Sequence, residues 1–211
     1  MPPGPDTPTL DNMPSFNARE LAEAVADANS ALQTIQDLVG VEDIGAARVR
    51  FPRGYLRTSH QGRQLFACVR RPLVQTNLGY AAQLSDVLTW LLMRTDLAAI
   101  ARDMVVKTYL ALTGGMAEAL LIDYFHGETG WRQTFSSRVT RLLERQKIDK
   151  LLSGELKRLW DMRCRQHVFE IPDSEFYAYD PDDHLRAQAA INALIEARSL
   201  DAGVEIAARA V

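Results

Sequence analysis

Cysteine is nearly absent from this chain of 211 residues, with Cys68 and Cys164 the only two. Two cysteines are too few for a disulfide framework, and a reducing cytosol is the expected compartment. Metal-ligand spacing is missing as well. There is no CxxC or HExxH, and His60, His126, His167 and His184 are scattered. Asp123 with His126 would supply too few ligands, so no metal or other cofactor is expected. No glycine-rich phosphate loop is present, because the TGG of residues 113–115 lies inside an apolar run rather than between a strand and a helix. Neither GxSxG nor a pattern that argues for a thiol nucleophile is found. What is left is metal-free acid–base chemistry or none. Long uncharged apolar runs are lacking too. The longest candidate, Tyr109 to Ile122, carries Glu118 and two glycines, so no membrane span is expected. The opening MPPGPDTPTLDNMP has neither the basic nor the apolar region of a signal peptide.

What is present is ordinary in bulk and uneven in detail. Apolar residues make up 47% and charged residues 24%, as in globular domains, and the length suits one large or one and a half small domains with a sizeable core. The net charge of −3 is distributed in blocks. Residues 1–43 hold eight acids and one base, and residues 168–211 hold nine acids and three bases. Between them, 44–76 has seven arginines and no acid, and 131–167 has ten bases against four acids. Such blocks suit an anionic partner for the middle of the chain, or neutralisation within the fold.

Helical periodicity dominates. Residues 1–14, with five prolines, read as a disordered leader. Ser15 is a plausible N-cap for an amphipathic helix over 15–40, in which Leu21, Val25, Ala28, Leu32, Ile35 and Val39 recur in steps of four and three before Gly40. From 41 to 77 the pattern is broken by Pro52, Gly54, Gly62 and Pro72, which predicts an irregular basic segment with a short helix or a hairpin. A bundle is expected over 78–200. Its first helix, Leu78 to Met93, is apolar around Leu84, Val87, Leu88, Leu91 and Leu92. Thr95 is a candidate cap for a long helix from Asp96 to Phe125, nearly apolar on all sides and hence central. Thr129 is placed to cap a basic amphipathic helix on Trp131, Phe135, Val139, Leu142 and Leu143 that runs on to Leu152. Ser153 would cap the next helix, ending before Pro172. Asp180, with Pro181 behind it, would launch a last helix on Leu185, Ala189, Leu194 and Ile195. Residues 201–211 read as a frayed tail. No internal repeat or parallel-sheet pattern is seen. The expected fold is all-α, an antiparallel helical bundle with an N-terminal helical arm and an irregular arginine-rich segment.

The stretch from Leu156 to Phe169, LKRLWDMRCRQHVF, carries the chemistry. As a helix it places Leu156, Trp160, Arg163 and His167 on one stripe, so an apolar anchor leads to an arginine and a histidine one turn apart. A fixed guanidinium fork and an imidazole that titrates near neutrality suit a phosphodiester. Cations in a last helical turn also simply complement the helix dipole. Glu118 is the only charge between Lys107 and Asp123. Left unpaired in a buried helix it would cost several kcal/mol, so it should reach Arg163 and His167, or water at the rim. Gly114–Gly115 weakens the helix by roughly 1 kcal/mol per glycine, which close helix–helix approach would offset.

A helix of the type YLALTGGMAEALL, a basic helix, LWDMRCRQHVFE and an Asp-capped last helix together resemble the HEPN superfamily of small helical bundles, over roughly Leu78 to Leu200. Those families carry an arginine, usually followed by a polar residue such as Asn, and a histidine after four to six intervening residues; here Cys164 takes the polar place, and only Cys164, Arg165 and Gln166 separate Arg163 from His167. The resemblance implies a metal-independent endoribonuclease of toxin or phage-defence type. His167 would be the acid–base group, Arg163 the phosphate clamp and Glu118 the group orienting them. Arg165, Arg158 and Lys157 would contact flanking RNA. It implies a cytoplasmic homodimer, restrained by an antitoxin or regulatory protein. The alternative is a non-catalytic dimerising scaffold or protein-interaction module, which the short spacing, Cys164 and a pI of 5.8 favour.

Overall fold

The computed structural model describes residues 17–128, 133–165, 179–180 and 182–204. All regular structure among them is helical, in seven α-helices and one short 3₁₀ turn. The chain divides into two compact units, Met1–Phe51 and Pro52–Val211. The boundary falls inside the segment read from sequence as irregular.

The first unit is organised by α1, Ala18–Val39. Asn17 caps it, its side chain accepting from Arg19 N at 3.0 Å, and Gly40 closes it at φ +57°, where only glycine is unstrained. Ser15 lies outside the described residues. The helix buries none of its residues, and Leu21, Val25 and Leu32 are each about half exposed.

In the second unit the irregular segment proves partly helical. Thr58 and Gln61 form a reciprocal capping box that starts α2, Ser59–Leu65. The next helix, α3 (Pro72–Arg94), begins six residues earlier than Leu78. Pro72 does not interrupt it. Its ring fixes φ at a helical value and its missing N–H is one the first turn would leave unbonded anyway. The pair α2–α3 meets backbone to backbone: a Cβ on Gly62 would lie 2.8 Å from the carbonyl oxygen of Gly79. Arg57 ties the entry to this pair, donating to Asp86 through its backbone N and twice through its guanidinium at 2.7–2.9 Å.

The central helix α4, Ala99–Phe125, packs against α3, α5, α6 and α7. Leu110, Leu120, Leu121 and Phe125 are essentially inaccessible, each such side chain contributing roughly 1.5–3 kcal/mol of burial. By length and composition it is apolar enough to cross a membrane, and half of its most apolar window is enclosed by the bundle. Thr95 does not cap it. The Thr95 hydroxyl donates back to Leu91 O at 2.5 Å and closes α3 instead.

The basic helix expected to run unbroken to Leu152 is two helices. The first, α5 (Phe135–Glu144), is capped by Thr134. Gln146 then turns the chain at φ +56°, and Asp149, not Ser153, caps α6 (Lys150–Cys164) by accepting from Leu152 N at 2.7 Å. Ser153 is buried within the helix. Thr129 and Trp131 lie outside the described residues. The last helix, α7, runs Asp183–Ala202, with Gly203 in the left-handed conformation at its end. Asp180 still serves its start, accepting from Asp182 N at 3.0 Å. The buried stripe of α7 is Ala187, Ala190, Ile191, Leu194 and Ile195, whereas Leu185 and Ala189 are exposed. Leu84 likewise faces outward on α3.

Candidate functional site

Arg163 and Glu118 meet, as the burial cost of a lone carboxylate on α4 predicts. Arg163 Nη2 stands 3.4 Å from Glu118 Oε2, with the two side chains 37% and 31% exposed. Three local features hold the arginine. Its Cβ and Cγ lie against Gly114, where an added Cβ would be 2.9 and 3.0 Å away. Its guanidinium sits 4.4 Å over the Trp160 ring. Trp160 is itself stacked on Phe135, centroids 4.4 Å apart and planes 4° from parallel. A cation so placed gains ~0.5–2 kcal/mol from the ring and is held from moving freely. The expected stripe on α6 is therefore real up to Arg163, with Leu156 fully buried as its anchor. Gly114 supplies the close approach predicted for the glycine pair; beside Gly115 there is open space.

His167 lies outside the described residues, so the partner assigned to Arg163 on the same stripe has no position here. The flanking cations do not gather at the site. Arg158 pairs with the buried Asp183 and ties α6 to α7. Lys157 donates to Thr140 at 3.1 Å and ties α6 to α5. Arg165, at the end of α6, is exposed. Among the described residues no group of histidine, cysteine and carboxylate side chains could hold a metal ion. A groove of about 1080 Å³ lies between α6 and α7, lined by Leu143, Leu151, Leu152, Ala193 and Leu200, and it contains none of the expected site residues.

The arginine-rich block is neutralised in part. Arg48 pairs with Asp43 at 2.8 Å, Arg57 with Asp86 at 2.7 Å, and Arg71 with Asp123 at 3.1 Å. Asp123, weighed from sequence as a metal ligand beside His126, is wholly buried and receives arginines instead. Sequence spacing did not signal this convergence, since its members lie on α4, α7 and the segment before α3. The density of arginine in 44–76 was the available hint.

The chain matches no protein-family model, no curated protein and no solved structure.

Proposed function

We propose that this protein is a metal-independent endoribonuclease of HEPN type, with Arg163 as its phosphate clamp. The observation that supports this reading is the state of Arg163: held by Glu118, Trp160 and Gly114, yet more than a third exposed at the end of α6. A structural arginine has no need of its outer edge. A catalytic one needs a fixed fork with that edge open to a phosphate oxygen. In this reading His167 takes the proton from a 2′-hydroxyl, the 2′-oxygen bonds to phosphorus, and the 5′-oxygen bond breaks with that oxygen protonated as it leaves. An imidazole with its ordinary value of about 6.5 can serve both transfers near neutrality. Glu118 orients Arg163. The cellular role would be that of a toxin or phage-defence nuclease under an antitoxin or other regulator.

The test is cleavage of total RNA in EDTA by the wild type, Arg163→Ala and His167→Ala. Cleavage abolished by both substitutions supports the proposal. Absence of cleavage by the folded wild type removes it.

A second reading, a non-catalytic module that pairs with a second copy of itself, is favoured by α3. There Leu73, Tyr80 and Leu84 are 73%, 54% and 45% exposed, and with the half-buried Val87 and Leu91 they recur in steps of seven, four, three and four. That spacing is the seam of a paired helix, and a two-fold partner would present the same stripe.

A further inference from the structure

Around the C-terminal end of α4 five guanidiniums face two carboxylates. Arg70, Arg71 and Arg198 surround Asp123: Arg70 donates to it through its backbone N at 3.1 Å, Arg71 through Nε at 3.1 Å, and Arg198 Nη2 stands 3.5 Å away. The Arg70 guanidinium also bonds the carbonyls of Asp123 and Tyr124, the last acceptors of the helix. Beside Phe125, Arg141 and Arg145 grip Glu128 at 3.0 and 2.6 Å and lie 4.7 and 5.2 Å from the Phe125 ring centre. Arg198 covers Tyr124 at 4.5 Å. Five positive charges against two negative leaves an excess of three, with the neighbouring Lys147–Asp201 pair adding nothing. The negative end of the α4 dipole offsets only about half a charge.

The excess is reachable. Arg70 is exposed, and Arg71 and Arg145 show 39% and 38% of their side chains to solvent. Among the described residues Arg71 engages Asp123 through Nε alone, which leaves its two terminal nitrogens as a fork there. Arg198 is 5% exposed, and its Nε has no acceptor among the described residues, so the donors outnumber what the protein provides for them. Forked donors in excess, fixed by carboxylates and aromatic faces, match the oxygens of a phosphodiester. Glu118 and Phe125, the last residue of α4, are seven residues apart, about 10 Å along the helix axis, and Glu128 follows in the turn just beyond. A strand of a few nucleotides can span that distance.

We infer that the arginine cluster at the end of α4 binds the backbone of single-stranded RNA and holds the strand whose scissile phosphate lies at Arg163. This inference rests on the proposed ribonuclease reading for its choice of RNA, but its test reads binding alone. The probe is a short 2′-O-methyl RNA oligonucleotide, which has no free 2′-hydroxyl to attack and stays intact. Its affinity is measured by calorimetry across a salt series for the full chain. Arg71→Gln with Arg145→Gln should weaken binding at least tenfold and flatten the salt slope by about 1.4, at roughly 0.7 per phosphate contact on a single strand. Glu128→Gln should do the opposite, tightening binding several-fold by adding one to the excess, which no folding defect would imitate. Absence of oligonucleotide binding at low salt, an unchanged affinity and slope in the double variant, or no tightening by Glu128→Gln would each overturn the inference. A polyglutamate peptide that binds as tightly as the oligonucleotide would overturn it too, in favour of an acidic protein partner. Binding that obeys these rules in a protein that cuts no natural RNA would sink the nuclease and leave this site standing.

Discussion

The side chain of Arg163 starts its course on Gly114: its Cβ occupies the space a Cβ on that glycine would need, at 2.9 Å. The crowded atoms are the root of the arginine, fixed to the α6 backbone, so they cannot swing away. Gly114→Ala should therefore push α6 outward, costing about 1–3 kcal/mol of overpacking against about 1 kcal/mol of regained helix propensity. Gly115, with open space beside it, carries no such constraint, and Gly115→Ala should stabilise by about 0.5–1 kcal/mol. Urea midpoints of the two variants, moving in opposite directions, check the pair.

The contact between Glu118 and Arg163 is long, at 3.4 Å, and partly exposed, which predicts a separation of effects. Glu118→Gln should change stability by no more than about 0.5 kcal/mol, as for most exposed ion pairs. If Glu118 orients the clamp, the same substitution should lower RNA cleavage tenfold or more. Melting temperature and initial cleavage rate, measured on one preparation, decide it. Equal small effects on both would make the contact merely structural.

Burial pushes the Tyr109 phenol up to about 12 from its ordinary value near 10. The folded chain thus keeps this proton where the unfolded chain gives it up. Its contribution is complete below pH 10, and stability falls as pH climbs from about 10 to about 12, by on the order of 2–3 kcal/mol. Tyr109→Phe should flatten that stretch of the stability curve. Urea titrations at stepped alkaline pH are the measurement.

Gln146 turns the chain between α5 and α6 at φ +56°, a conformation that disfavours a side chain by about 1–2 kcal/mol. Gln146→Gly should raise stability by up to about 1 kcal/mol, visible as a higher thermal midpoint.

That same turn shows where sequence reading ran out. Arg145, Gln146, Lys147 and Ile148 are acceptable helix residues, and the apolar spacing of Phe135, Val139 and Leu142 continues plausibly across them. The break comes from a backbone conformation that no glycine announces. Pro72 misled in the opposite sense, since a proline that ends one helix and one that opens the next look alike until the direction of the chain is known. The central place of α4 was legible because few positions along it are polar. The Glu118–Arg163 pairing was legible for a related reason, as a lone acid in such a helix has few places to go. The gathering of Arg70, Arg145 and Arg198 was not, because residues so far apart in the chain are brought together only by tertiary packing.

The outward stripe on α3 carries a prediction for the second reading. If Leu73, Tyr80 and Leu84 form a seam between two copies, Leu84→Glu should convert a dimer to a monomer in sedimentation, with helix content unchanged. A wild type that sediments as a monomer at micromolar concentration would end that reading.

Trp160 lies flat against Phe135 on one face and beneath the Arg163 guanidinium on the other. An indole in that position emits according to whether the cation stays over its ring. Any anion that draws Arg163 aside should therefore change the intrinsic fluorescence of a protein in which Trp90 and Trp131 have been replaced by phenylalanine. The candidate site thus carries its own optical reporter, able to register occupancy before any bond is cut.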